Sequence, residues 1–306
     1  MFENSRREIA VIVAVGACAL AGASCSSSNS PGVGSGGAGG GGVTAGSRGA
    51  PVGSGGASAG TGGATSDSGS ETDAATLLPA PVLDPSGTYA GKTYAEWGAA
   101  FVKWQLELPG PDFPSLDSTG AACAVGQSGA ADGGGTQTDV FFLAESWITT
   151  VTRSCTIPTG EMLFIPLMAW YWDNGGTPAA SLLTDDQLKS RLTQVDAAVT
   201  GLSLDIDEES YGSKVSDFMA YLSGPTQFSY TMPNTPTNFA AEYPGSYSTT
   251  TFSGTVPVSF CTGYYILLAP LSVGSHRIHY TLQRNAIPSL YLDVFDMDIT
   301  YNLTVE

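Results

Sequence analysis

A run of aromatic and polar residues near the middle of the chain has the composition of a sugar-binding site. It consists of Trp170, Tyr171, Trp172, Asp173 and Asn174, and two glycines follow it. In an extended segment the two tryptophans lie on one face and the tyrosine on the other. Indole rings stack on the apolar face of a sugar, while carboxylate and amide groups bind its hydroxyls. The segment therefore predicts a glycan-binding site, although two tryptophans buried in the core would explain the same residues.

Acidic residues are also candidates for glycan hydrolysis, which needs two carboxylates about 5 to 9.5 Å apart, one of them with a raised pKa. The candidates are Glu107, Asp139, Glu145, Glu161 and Asp173. Their spacing in the sequence does not show which two would face each other. A glycan lyase would instead need a cation such as Arg153 beside Tyr171 or Tyr264. Hydrolase, lyase and non-enzymatic functions all stay open.

Metal binding is not predicted by the few residues suited to it. His276 and His279 are three residues apart, which places them on opposite faces of a strand. Asp205, Asp207 and Glu209 would share one face of a strand, but a solvated edge that discourages aggregation explains them better than a calcium site. No further histidine or thiolate set is available to complete a metal site, and no phosphate-binding loop is present, so we expect neither a metal nor a cofactor.

Composition excludes one class of partner and favours an exported protein. The chain has 306 residues and a formal net charge of −17. Nucleic-acid binding needs clustered cations, so we expect no nucleic-acid partner. Only 13% of the residues are charged, which is about half the usual fraction of a globular domain.

The N-terminus resembles a bacterial lipoprotein signal. Two arginines precede an apolar stretch at 9–23, which is too short to cross a membrane. We predict a signal peptide at 1–25 with lipidation at Cys25, which would tether the protein to a membrane. Lipidation at Cys18, or cleavage after the Ala-Gly-Ala sequence at 21–23, are the alternatives. The expected location is the cell envelope, as an outer-membrane lipoprotein or a secreted protein.

The stretch from 26 to 76 is rich in Gly, Ser and Ala and contains no aromatic residue. Such a composition cannot bury enough apolar surface to order itself, so we predict a disordered linker. The folded domain is then 77–306. An oxidising compartment favours a disulfide, which we assign to Cys123 and Cys155 because they flank a strand-rich stretch. Cys261 is the remaining thiol and is expected to be buried.

Helical periodicity is confined to two segments of the folded domain. Thr93 and Glu96 form a capping box before an aromatic stripe that runs to Leu108, and a second box begins at Thr184. The rest alternates as short strands. The predicted strands are 140–144, 146–153, 161–167, 202–206, 227–232, 256–261, 264–268, 276–283 and 295–305. This pattern predicts a mainly β fold: a jelly-roll-like antiparallel β-sandwich with two helices.

Several segments of this domain resemble a family of uncharacterised exported bacterial proteins. The matching segments are YAEW at 94–97 with Trp104, CAVGQSG at 123–129, VFFLA at 140–144, RSCTIP at 153–158, LFIP at 163–166, LLAPL at 267–271 with GSH at 274–276, and ITYNLTV at 299–305. The resemblance implies one β-sandwich domain and brings no known activity. We therefore expect a tethered binding module, with a glycan as its candidate partner. A glycan-active hydrolase or lyase, or a structural envelope protein, are the alternatives.

Overall fold

The computed structural model describes residues 77–127, 140–243 and 252–306. The predicted signal peptide and linker, including Cys25 and Cys18, lie outside the described residues, as does Asp139. The strands are β1 Thr88–Tyr89, β2 Lys92–Thr93, β3 Val140–Phe142, β4 Thr150–Ile157, β5 Met162–Asp173, β6 Val199–Ile206, β7 Glu209–Gly212, β8 Leu222–Met232, β9 Gly254–Leu268, β10 Gly274–Arg284 and β11 Phe295–Val305.

The α-helices of the described segments are α1 Tyr94–Glu107, α2 Asp185–Ala197 and the single turn α3 Phe239–Glu242. Both predicted capping boxes are present, because the hydroxyl of Thr93 accepts from the backbone of Glu96 and that of Thr184 from Gln187. Short 3₁₀ helices lie at Ala179–Ser181, Val215–Tyr221 and Pro288–Leu290.

Five strands form a sheet in the order β4-β11-β10-β6-β7. Every second residue along β11 and β4 is buried, so one face of this sheet packs inward and the other is wet. All neighbours are antiparallel except β4 and β11. The alternation along β11 is the one the sequence predicts.

Two predictions on this sheet are wrong. Strand β4 begins and ends four residues later than predicted. The buried Arg153 occupies an inward position and hides the alternation that continues to Ile157. Asp205, Asp207 and Glu209 do not share one strand, since β6 ends at Ile206 and a turn follows. In that turn Asp207 and Glu208 have φ values of 50° and 69°, the left-handed conformation that aspartate adopts more readily than most residues.

The second sheet has the order β3-β5-β9-β8, and its two central strands, β5 and β9, are buried on both faces over most of their length. Its two central strands are longer than predicted. β5 continues from Leu167 to Asp173, and β9 joins the two strands predicted at 256–261 and 264–268. The glycine between those two, Gly263, marks a close approach of backbones rather than a turn, since a Cβ there would lie 2.1 Å from the carbonyl oxygen of Met168.

Layers on either side bury this second sheet. On one face Phe101 of α1 contacts Phe164 with ring centroids 5.6 Å apart, and Phe164 contacts Tyr265 at 5.3 Å. On the other face Met168 of β5 and Leu282 of β10 line the same pocket, which places the two sheets against each other. The mainly β, antiparallel-rich sandwich that the sequence predicts is therefore confirmed.

The segment before β3 that contains Asp117 and Cys123 is joined to β4 by a disulfide and by hydrogen bonds of Arg153. Cys123 and Cys155 form the predicted disulfide, with Cα atoms 5.9 Å apart. Arg153, next to it on β4, donates to the carbonyl oxygens of Asp117 at 2.7 Å and Ala144 at 2.7 Å. The remaining thiol, Cys261, is buried as expected, and burial raises its pKa to about 12, which keeps the thiol protonated and unreactive.

Candidate functional site

The predicted glycan segment forms the end of β5 and the turn that follows it. Trp170 and Trp172 lie opposite Thr262 and Phe260 of β9, and Tyr171 lies opposite Cys261. The tryptophans therefore share one face of the sheet and the tyrosine occupies the other, as the alternation requires. All five residues, from Trp170 to Asn174, are partly exposed.

Helix α2 packs beside the two tryptophans. Its buried Leu188 and Leu192 form a small cluster with Phe260, and both Trp170 and Trp172 pack against this cluster. The tryptophans of α1 lie elsewhere: Trp97 and Trp104 contact Phe142 instead. Trp170 instead packs on Trp147, with ring centroids 6.1 Å apart. Both indoles at the end of β5 are partly exposed.

Cations stack on the aromatic rings at this end of the sheet. The guanidinium of Arg191 lies 4.8 Å from the ring centroid of Trp172. The ammonium of Lys189 lies 4.8 Å from the centroid of Phe260. Both cations come from α2, and each gains from the negative face of its ring.

The acidic and amide groups of the segment are engaged within the protein. The carboxylate of Asp173 accepts from the hydroxyl of Tyr230 at 2.9 Å, the backbone N–H of Gly175 at 2.7 Å and the hydroxyl of Ser259 at 3.3 Å. Burial raises the pKa of Asp173, although these three bonds act in the opposite direction. Asp173 therefore shapes the turn rather than facing solvent.

Asn174 and Tyr171 also have internal contacts. The Asn174 amide donates to the carbonyl oxygen of Leu183 at 2.9 Å and accepts from its N–H at 2.9 Å. This pair closes the loop that leads into α2. The ring of Tyr171 packs edge-on against Phe239 at 6.1 Å, on the far side of the sheet from the tryptophans. The structure thus brings the tryptophans, and not the five residues as a set, to one open surface.

A small pocket adjoins Trp170 between the two sheets. Its volume is about 20 Å³, little more than one water molecule occupies. Its lining residues are Glu145, Ser146, Trp147, Met168, Ala169, Trp170, Leu282, Arg284, Phe295 and Met297. Most of these side chains are apolar, so the two charged residues among them stand out.

Glu145 is the first of these charged residues. It is 8% exposed, and its carboxylate accepts from the backbone N–H of Ala169 at 3.1 Å. Burial raises its pKa to about 8, against the opposing effects of that bond, the Gln105 side chain and the charge of Arg153. Glu145 is therefore mostly protonated at neutral pH.

Arg284 is the second charged residue that lines this pocket. It is 1% exposed and lies 5.3 Å from the ring centroid of Trp170. Two of its nitrogens donate to the carbonyl oxygens of Asn285 and Asp293, while its Nε has no partner among the residues that the structure describes. The indole nitrogen of Trp147, on the same pocket, also lacks one there. The buried guanidinium of Arg284 therefore packs on the ring of Trp170 and fixes its position.

Three of the described acidic candidates for hydrolysis, Glu107, Glu145 and Asp173, are not paired with one another. Glu107 bonds Lys103 at 2.6 Å and the backbone of Thr231 at 2.7 Å. Glu145 contacts Ala169, four residues before Asp173 on the same strand. Four residues of strand span about 13 Å, which exceeds the separation that either mechanism of glycoside hydrolysis uses.

The cation named for lyase chemistry is also committed elsewhere. Arg153 is 1% exposed, and besides its four bonds to backbone carbonyl oxygens it donates to the hydroxyl of Tyr301 at 2.6 Å. Its role is to join the loop before β4 to the sheet. Arg153 is therefore not the exposed cation beside Tyr171 or Tyr264 that lyase chemistry would need.

The histidines lie on opposite faces of β10. His279 is on the wet face between Asp205 and Asp298, at 3.4 and 3.0 Å. His276 shares the face of the buried Ile278, and its two ring nitrogens contact Asp207 at 2.7 Å and the carbonyl oxygen of Ser272 at 2.8 Å. Within 77–127, 140–243 and 252–306, no group of three or more metal-ligating residues occurs.

No protein-family model matches the chain, and neither does any curated protein. Among solved structures, the solution structure of amebosin is matched over 52% of this chain and 97% of its own, with 12% identity and a TM-score of 0.14. None of the helices in the described segments is long and apolar enough to span a membrane.

Sequence reasoning found the tryptophans but missed the cations. Lys189 and Arg191 belong to the helix that the Thr184 capping box predicts, and the apolar stripe of that helix gives no sign of what its flanks contact. Arg284 ends a strand that lies far along the chain from Trp170. Such long-range contacts have no local signal in the sequence.

Proposed function

We propose that this protein is an exported, surface-tethered binding module that takes a glycan at the open end of β5. Its ligand surface is formed by the rings of Trp170 and Trp172. The lipoprotein-type leader and the Gly/Ser-rich stretch before the domain supply the tether, with Cys25 as the lipidation site. The tether would hold the domain at the cell envelope.

One observation carries the proposal: two partly exposed tryptophans on the same face of one strand, each with a guanidinium on its ring. Trp172 is held by Arg191 and Trp170 by Arg284, so neither ring has to be ordered when a ligand arrives. Rigid aromatic groups of this kind lose little conformational entropy on binding. Alternate residues on a strand lie about 7 Å apart, a distance that suits neighbouring sugar rings in a chain.

A binding function fits the site better than hydrolysis. Glu145 and Asp173, two of the predicted acidic candidates beside the tryptophans, contact positions too far apart along β5 to act together on one glycosidic bond. Asp173 is also fully engaged by Tyr230, Ser259 and Gly175. These observations favour binding over hydrolysis by Glu145 and Asp173.

The test is a glycan-array screen of the full chain beside the variant Trp172→Ala. We expect binding to at least one glycan class and a loss of about fivefold or more in the variant, because stacking on an indole contributes about 1 kcal/mol or more. Tyr89→Ala is the matched control: this tyrosine packs on Tyr94, which contacts Leu267 at the opposite end of β9 from Phe260. Absence of binding, or equal loss in both variants, would refute the proposal.

A further inference from the structure

The small pocket beside Trp170 is reached from the surface where the glycan is proposed to bind. Of the residues that line it, only Trp147 and Trp170 are partly exposed, and the others are buried. The pocket is partly open to solvent, so its opening lies beside these two rings. Trp170 shares its face of β5 with Trp172, which places the pocket next to both tryptophans of the proposed ligand surface.

The pocket has the size and the walls that suit one methyl group. Its volume is about 20 Å³, somewhat more than the space of about 10 to 15 Å³ that holds one water molecule. Met168, Leu282, Phe295 and Met297 contribute apolar side chains to its walls. A water molecule needs about two to four polar partners, and these four side chains offer none. A methyl group, in contrast, gains free energy from contact with them.

A polar group on the pocket wall lacks a partner. The indole nitrogen of Trp147 is buried and has no acceptor among the residues that the structure describes. Leaving such an N–H unpaired is costly, so proteins normally pair it with another group, a water or a ligand. The two charged side chains of the pocket are bonded elsewhere, Glu145 to the Ala169 N–H and Arg284 to two carbonyl oxygens. The pocket thus combines apolar walls with a donor that needs an acceptor.

The helix beside the tryptophans favours an uncharged ligand. α2 contains Lys189 and Arg191, but it also contains Asp185, Asp186 and Asp196, so three carboxylates face two cations on one short helix. Both cations lie over aromatic rings. Because α2 has no excess of positive charge and the whole chain has a net charge of −17, an acidic glycan would gain little here. A neutral substituent agrees with these charges.

We propose that the glycan bound at this site carries N-acetyl groups. One sugar ring stacks on Trp172, and the acetyl group of the next ring enters the pocket beside Trp170. Its methyl group contacts Met168 and Leu282, while its carbonyl oxygen accepts from the indole N–H of Trp147. Alternate residues of a strand are about 7 Å apart, which suits two consecutive rings. This inference rests on the proposed function and narrows it, since stacking on tryptophan alone does not distinguish acetylated from plain sugars.

An acetyl group fits the pocket better than other substituents of a sugar. A deoxy sugar would supply a methyl group but no carbonyl oxygen for Trp147. A hydroxyl group would supply an oxygen but leave the apolar walls without a partner. The acetyl group has both parts, and it has no charge that would have to be desolvated.

The experiment compares three neutral tetrasaccharides with the same β-1,4-linked backbone. They are N-acetylchitotetraose, its N-propionyl counterpart, and cellotetraose, which has a hydroxyl in place of each acetamido group. The full chain is titrated with each one by calorimetry. We expect the N-acetyl form to bind at least about tenfold more tightly than cellotetraose. Tenfold corresponds to about 1.4 kcal/mol, which agrees with one buried methyl group and one hydrogen bond. The N-propionyl form should lose most of this preference, because the pocket has no room for its extra carbon.

Two variants test whether the pocket holds the acetyl group. Leu282→Phe places a larger side chain in the wall and should remove the tenfold preference. Trp147→Phe deletes the indole N–H, keeps an aromatic ring, and should reduce the preference about threefold or more. Leu303→Phe and Trp104→Phe are the matched controls, since both residues are buried but neither lines the pocket. The controls should keep the preference, and thermal unfolding of each variant verifies folding.

Each other outcome has a definite meaning. If the N-acetyl form and cellotetraose bind equally and Trp172→Ala abolishes binding of both, the proposed function stands and this inference is overturned. A preference that Leu282→Phe and Trp147→Phe leave intact also overturns it, because the acetyl group then lies elsewhere. Equally tight binding of the N-propionyl form has the same consequence. If no tetrasaccharide binds but an array identifies a glycan without acetyl groups that needs Trp172, only this inference is lost. If no glycan of any kind binds, both proposals are lost.

Discussion

Glu145→Gln should change how the stability of the protein depends on pH. Burial raises the pKa of Glu145 to about 8 in the folded protein, against a usual value of 4.5. The folded state therefore holds a proton between these values that the unfolded state has released. The stabilisation is complete below pH 4.5 and is lost as the pH rises through 8, since the free energy of unfolding falls wherever the folded state binds more protons.

The magnitude follows from the width of that window. One pKa unit corresponds to about 1.4 kcal/mol, so between pH 5 and pH 7 the wild-type protein loses roughly 2 to 3 kcal/mol through this group. Glutamine keeps an oxygen that can accept from the Ala169 N–H and has no charge to desolvate. The variant should match the wild type near pH 5 and exceed its stability near pH 8.

Urea unfolding followed by tryptophan fluorescence at pH 5, 6, 7 and 8 gives the free energies. Asp196, whose pKa burial raises to about 6, and His276 contribute to the pH dependence of both proteins equally, so the difference isolates Glu145. Glu209→Gln, an exposed change of the same chemistry, is the control. Parallel pH profiles for wild type and Glu145→Gln would show that the carboxyl is solvated, and the reasoning would be refuted.

Three further predictions concern stability. Replacing Cys123 and Cys155 by alanine should lower the free energy of unfolding by about 3 to 4 kcal/mol, because the bond closes a loop across 32 positions; chemical denaturation measures this, and no change would contradict it. Gly98→Ala should cost about 1 to 3 kcal/mol by thermal unfolding, since a Cβ would lie 2.2 Å from the ring of Tyr265, and an unchanged melting temperature would rule the clash out. The pKa of His276 lies above its usual 6.5, because the bonds of its ring to the Asp207 carboxylate and the Ser272 carbonyl oxygen outweigh the opposite effect of burial. The stabilisation by the charged ring is therefore lost as the pH rises above 6.5. His276→Gln should flatten that part of the pH profile, and an NMR titration midpoint below 6.5 would disprove the prediction.

Helices and wet strands were predictable from the sequence because their signals are local. Both capping boxes form as the spacing requires, and each begins a helix at the next residue. Along β11, buried and exposed residues alternate as their types indicate. In these elements the side chains within one turn or one strand already show which face is buried.

Strands buried on both faces were harder to delimit. β5 and β9 contain long buried runs without alternation, so their burial pattern does not mark where one strand ends. Gly263 has the residue type of a turn but lies in mid-strand beside a bulge in β5, between Pro166 and Met168. Only the partner strand shows why a glycine is needed at that position.

For the candidate site, the placement of the tryptophans was predictable from the sequence, but that of the cations was not. Alternation alone places Trp170 and Trp172 on one face, and their types indicate what such a face can hold. The cations that make this surface distinctive come from a helix and from the end of β10. Their approach depends on how layers pack, which a single sequence does not encode locally.

The bond between Cys123 and Cys155 has a consequence for when the protein matures. Cysteines stay reduced in the bacterial cytosol, and a protein exported through a narrow channel must remain loose until it has crossed. Here the segment before β3 gains its covalent attachment to β4 only where oxidation is possible. In a protein exported as proposed, full assembly is thereby postponed to the far side of the membrane, so transport is favoured over premature folding.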